Sequence, residues 1–199
     1  MSGAATDPSM DLSFPHRWRA ELLTVRPLIL PARHFVYPRE ADEIERGALE
    51  VLIRTGVENE QQFLATCAPG FRDPAAPTGI WSSPKPEEIC AVAGGYAYLI
   101  DTMAPERFTM IAYRPVMQIV PVVEEGLLLF AGHQSILAWG REGQAWESDK
   151  VSDEGVSILG VEYGVLRGTG WELQTDKEKP FAFDVRRGER IEPPLKRGR

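Results

Sequence analysis

The sequence predicts a mainly β protein, and three observations carry that prediction: a strand-dense stretch from residue 87 to residue 192, an internal recurrence at an offset of 38, and glycines at the turns of that recurrence. Ile89-Cys90-Ala91-Val92-Ala93-Gly94-Gly95-Tyr96-Ala97-Tyr98-Leu99-Ile100-Asp101 aligns without a gap with Leu127-Leu128-Leu129-Phe130-Ala131-Gly132-His133-Gln134-Ser135-Ile136-Leu137-Ala138-Trp139. The same offset carries Gly126 onto Gly164 and Gly132 onto Gly170. A third copy requires seven extra residues, within Trp171 to Pro180, before Phe181-Ala182-Phe183-Asp184. Beyond them Gly143-Gln144-Ala145-Trp146 lies 45 residues ahead of Gly188-Glu189-Arg190-Ile191, and Pro105-Glu106-Arg107-Phe108 holds the matching place in the first copy.

Each copy reads as four short antiparallel strands in a meander. In the middle copy these are Val116–Val123, Leu127–Ala131, Ser135–Trp139 and Gln144–Glu147, separated by turns that carry Gly126, Gly132, Gly140 and Gly143. Glycine suits such turns because it adopts positive φ without steric cost. A unit of this length with four strands and Gly-centred hairpins resembles the blade of a β-propeller. Tyr98-Leu99-Ile100-Asp101 and Phe181-Ala182-Phe183-Asp184, each followed by a turn and a bulky residue, resemble the third-to-fourth strand hairpin of quinoprotein-type blades. The resemblance spans about residues 85–192 and implies a fold: about three blade-like four-strand units in an open arc or curved sheet. It implies no quinone and no other cofactor. Closed propellers have about four to eight blades, so an arc of about three needs its edges and apolar flank covered. The N-terminal segment is expected to form that cap, with a homodimer as the competing arrangement.

The first 86 residues are irregular in pattern. Residues 1–15 read as a disordered N-terminus, and 16–86 as a segment packing on the β part. Leu28 to Tyr37 reads as extended but, punctuated by Pro27, Pro31 and Pro38, it cannot be a central strand. A helix is predicted over about 39–55. Pro38 precedes it, Glu40, Asp42 and Glu43 fill a first turn where the helix dipole favours negative charge, and Ile44, Ala48, Val51 and Leu52 share a face. Asp42/Arg46 and Glu50/Arg54 are spaced as i,i+4 pairs, and Gly56 is a natural stop. Residues 68–86, with five prolines and two glycines, read as a loop pinned by Trp81. Residues 193–199 form a flexible basic tail.

The composition is that of a globular chain: 199 residues, 43% hydrophobic and 26% charged. No apolar run approaches the roughly 18 residues that would span a bilayer, and Met1 to Pro15 lacks the basic start and apolar middle of a secretory signal, so a cytoplasmic protein without membrane partners is expected. A net charge of −7 removes the electrostatic term that drives phosphate-backbone binding, so no nucleic-acid partner is expected. Cys67 and Cys90 read as small buried hydrophobes.

Function is expected in loops at one sheet end. The meander places His133 and Gln134 beside the acidic link Ser148–Gly155 and on the same side as Trp171. His133, Gln134 and Trp171 are the candidate ligand- or partner-binding residues, since loop aromatics seat sugars or partner side chains. His133 with Asp149, Asp153 or Glu154 is the candidate catalytic set. Three histidines, His16, His34 and His133, none paired in sequence, predict no metal site. No nucleophile elbow, Walker loop or dinucleotide fingerprint is present. The sequence therefore predicts a non-catalytic binding or protein-interaction module for a protein partner or a small polar ligand; the alternative is a small hydrolase or lyase using His133 and its acidic neighbours.

Overall fold

The computed structural model describes residues 8–39, 47–56, 61–70 and 75–191. The chain enters along β1 (Ser9–Asp11). β2 (Trp18–Leu23), β3 (His34–Tyr37), β4 (Leu49–Thr55) and β5 (Gln61–Cys67) make the first sheet, in the order β2-β4-β5-β3, with β3 parallel to β5. β6 (Gly79–Ser82), β7 (Glu88–Ala93), β8 (Tyr96–Asp101) and β9 (Phe108–Met110) make the second, and β1 adds to it in parallel alongside β6. β10 (Gln118–Val122), β11 (Leu127–Ala131), β12 (Ile136–Gly140) and β13 (Gly143–Glu147) form the third as an antiparallel meander. β14 (Val156–Glu162), β15 (Val165–Glu172), β16 (Lys177–Asp184) and β17 (Glu189–Arg190) form the fourth in the same manner.

Successive sheets pack through three apolar layers. Val51, Ile53 and Phe63 of the first sheet meet Ile89, Tyr98 and Ile100 of the second. The opposite face of the second sheet, with Cys90, Val92 and Leu99, meets Leu128, Phe130 and Leu137 of the third. Leu129, Ile136 and Ala138 then face Ile158, Leu166 and Phe183 of the fourth. The second and third sheets are therefore buried on both faces. That is why β7 after Glu88, and all of β11, are continuous apolar runs and not alternating ones. Both cysteine thiols are buried and free, in different layers, and burial pushes both thiols well above the usual range.

The mainly β expectation holds, but the predicted architecture of about three blade-like units under an N-terminal helical cap is overturned. There are four small sheets, none closed, and no α-helix among the described residues. The predicted helix fails over Leu49–Thr55, which is β4; residues 40–46 lie outside the described residues. Leu49, Val51 and Ile53 alternate toward the core while Glu50 and Arg54 point away, and every residue of β4 pairs with β5 from Leu49↔Cys67 to Thr55↔Gln61. The β-branched Val51, Ile53 and Thr55 fit that pleat, and tertiary pairing overrides helix propensity. The expected Glu50/Arg54 helical pair does not form: Arg54 binds Glu21 at 3.1 Å and Glu50 accepts a bond from Thr66.

Two further readings change. The stretch read as disordered contains β1 and the buried Phe14, whose amide donates to Ser82 Oγ at 2.9 Å; residues 1–7 lie outside the described set. The predicted Pro-rich loop contains β6, and Trp81 belongs to that strand. The 193–199 tail lies outside the described residues.

Candidate functional site

The topology brings the predicted site residues to one end of the stack, where the third and fourth sheets join. The carbonyls of Gly132, His133 and Gln134 accept bonds from the amides of Val156, Gly155 and Val151 at 3.0, 2.8 and 2.8 Å. Ser152 Oγ donates to the Gly155 carbonyl and accepts from the Trp171 amide, while the Asp153 amide donates to the Trp171 carbonyl at 2.7 Å. Tyr113 locks the turn from the other side: its hydroxyl donates to the Ser135 carbonyl and accepts from the amides of Gln134 and Ser135.

This close crossing gives two aligned glycines a common reason. A Cβ at Gly132 would lie 2.6 Å from the Pro115 carbonyl oxygen, and one at Gly170 would lie 2.2 Å from that of Val151. In both places a link between sheets passes directly over the strand end.

The same crossing limits the chemistry. Asp153 is engaged by Lys150 at 2.7 Å and by the Leu173 amide at 2.8 Å. The Lys150 and Leu173 bonds hold its carboxyl below the usual range, so it stays an ionised anchor for the 171–173 segment. His133 and Gln134 are exposed, and the His133 ring makes no hydrogen bond among the described residues. Asp149 and Glu154 are exposed at the two ends of the link. The structure thus gathers these residues as a seam whose backbone groups join two sheets. Replacing Tyr113 by phenylalanine is expected to leave the Gln134 and Ser135 amides without that acceptor and the Ser135 carbonyl with only the 3.4 Å bond from the Gly132 amide, and to cost about 1–2 kcal/mol in urea-denaturation stability. An unchanged midpoint would show that the seam carries no stability.

A second feature escaped the sequence reading. The connection from β2 to β3, residues 24–33, projects four apolar side chains, Val25, Leu28, Ile29 and Leu30, of which Leu28 is 104% and Ile29 90% exposed. The expectation that Leu28 begins a segment packed as a cap is therefore corrected. Its base is anchored. Arg26 lies 3.6 Å from the buried carboxylate of Glu50, and the Arg33 carbonyl accepts from the Leu64 amide at 3.0 Å. Arg33 also lies over the rings of Phe35 and Phe63, 5.9 Å from each. Glu50 is in turn held by Thr66 Oγ1–H at 2.6 Å, so the Thr66 oxygen accepts from Nε2–H of His34 at 2.8 Å. Burial, aided by the positive charge of Arg26, lowers the His34 pKa and keeps the ring neutral as that donor. The available sequence signal was the Pro-bounded run Leu28-Ile29-Leu30 between two arginines.

Among the described residues no group of three or more His, Cys, Asp or Glu is placed to hold a metal ion, and no helix is long and apolar enough to cross a membrane. No protein-family model matches this chain, and no curated protein matches it in sequence.

Proposed function

We propose that the protein is a non-catalytic interaction module that docks a protein partner through the apolar β2–β3 connection. The exposure of Leu28 and Ile29 carries this reading. A sequence that keeps large aliphatic side chains clustered in water, with core available elsewhere, gains nothing in its own fold from them. On a partner each contributes about 1.5–3 kcal/mol when fully buried. The ties from Arg26 to Glu50 and from Leu64 to Arg33 hold the ends of the connection, which reduces the ordering cost on binding. The complementary surface is an apolar pocket large enough for two aliphatic side chains.

The test compares proximity labelling in the protein's own cells for wild type, a Leu28→Asp/Ile29→Asp variant and a His133→Ala/Trp171→Ala variant. The proposal expects one partner to fall at least about tenfold with the first variant and to persist with the second, a loss equivalent to about 1.4 kcal/mol or more. Equal labelling by all three would overturn it. Recovery of only the chain itself, with a dimer in sedimentation that the first variant dissociates, would replace the foreign partner by a second copy.

A further inference from the structure

The end of the stack opposite His133 carries a cleft of about 530 Å³ at the edge of the second sheet. It opens where the strand ends Glu88↔Asp101 and Ile100↔Phe108 pair. The half-buried Phe108 lies at its rim, the cationic groups are Lys85, Arg39 and Arg107, and the carboxylates are Glu88, Asp101 and Glu106. Arg107 is paired with Asp101 at 2.9 Å, and Arg39 donates to the Glu106 carbonyl at 2.7 Å. Lys85 makes no ion pair among the described residues.

Glu88 is the distinctive group in this cleft. Its Oε1 accepts from Ser83 Oγ at 2.9 Å and from Trp139 Nε1 at 3.1 Å, so the turn after β6 and the third sheet together fix the carboxyl in place. Its Oε2 accepts no bond from any described residue. No fully buried side-chain oxygen or nitrogen among those residues lacks a partner, so Oε2 is not fully buried, and Glu88 lines the cleft. Burial raises the Glu88 pKa against the opposing effect of the two donors. A partly desolvated carboxyl with one oxygen satisfied and the other open is a prepared acceptor for a ligand donor.

We propose that this cleft binds a small organic anion carrying a hydroxyl or amino group. The donor bonds to Glu88 Oε2, and the anionic group faces Lys85 and Arg107. This site is separate from the β2–β3 connection and stands or falls without it.

The Trp139 indole N–H, bonded to Glu88 Oε1, reports on that carboxyl, and its signal in a ¹H–¹⁵N spectrum can be followed during titration. Glucose 6-phosphate, L-serine and glycolate are the donor-bearing probes, and acetate is the anion without a donor. At least one of the three is expected to shift the signal saturably with a Kd below about 1 mM. Lys85→Ala is expected to weaken that binding about tenfold, and Glu88→Gln, with circular dichroism unchanged, to weaken it by a similar factor. The assignment is overturned if none of the three probes gives a saturable shift, if acetate binds as tightly, or if Lys85→Ala binds as wild type does.

Discussion

Replacing Phe130 by alanine is expected to destabilise the protein by about 3–5 kcal/mol, the range for deleting a fully buried aromatic ring from a core that cannot collapse around the gap. Phe130 is fully buried in the layer between the second and third sheets, with Leu128 on the same face of β11. The other face of that strand puts Leu127, Leu129 and Ala131 into the layer against the fourth sheet. β11 is thus held between two cores, and neither neighbouring sheet can move into a cavity on one side without opening the other. Leu129→Ala, on the opposite face, is expected to cost about 2–5 kcal/mol. If the stack unfolds as one cooperative unit, both variants shift a single urea transition with an unchanged slope. A Phe130→Ala loss under about 1 kcal/mol would mean that the second and third sheets do not pack through this ring.

That strand also shows what the sequence made readable. A run such as Leu127–Ala131, apolar at every position and stopped by glycine turns, has few solutions other than a strand covered on both faces. The observed β10–β13 follow the predicted strands within about two residues at each end, the spread expected for strand assignment. β4 was illegible for the opposite reason. Leu49, Val51, Leu52 and Ile53 satisfy helical and strand periodicity at once, and what separates them is pairing with Gln61–Cys67 and Trp18–Leu23. The same non-local pairing hid β1 and β6, whose short segments are strands only beside each other and β7. At the candidate site, the proximity of His133 to the 148–155 link follows from meander topology alone. That the contact is made by backbone carbonyls, leaving the imidazole outside it, does not follow from residue types. Nor does the exposure of Leu28 and Ile29, or the sharing of Glu88 between Ser83 and Trp139 of a different sheet.

Gly168→Val is expected to cost about 3 kcal/mol or more, although glycine in the middle of a strand is ordinarily a weak residue. Gly168 sits in β15 with partners on both sides, Ile158 and Phe181. A Cβ there would lie 2.3 Å from Phe181 Cζ and 2.4 Å from the Ser157 carbonyl oxygen. The ring of Phe181 covers the bare backbone of its cross-strand neighbour and continues into an edge contact with Phe183 at 5.6 Å, so glycine here is what lets the fourth sheet present two aromatics to the third. Phe181 is buried in the layer, so its ring shifts only against its neighbours, and the Ser157 oxygen belongs to the backbone of β14 and yields least. The two contributions separate in a double-mutant cycle with Phe181→Ala. Removing the ring relieves one clash and leaves the other, so Gly168→Val is expected to cost about 1 kcal/mol less in that background while remaining destabilising. Strict additivity of the two changes, or a Gly168→Val variant within about 0.5 kcal/mol of wild type, would refute the close approach of ring and strand.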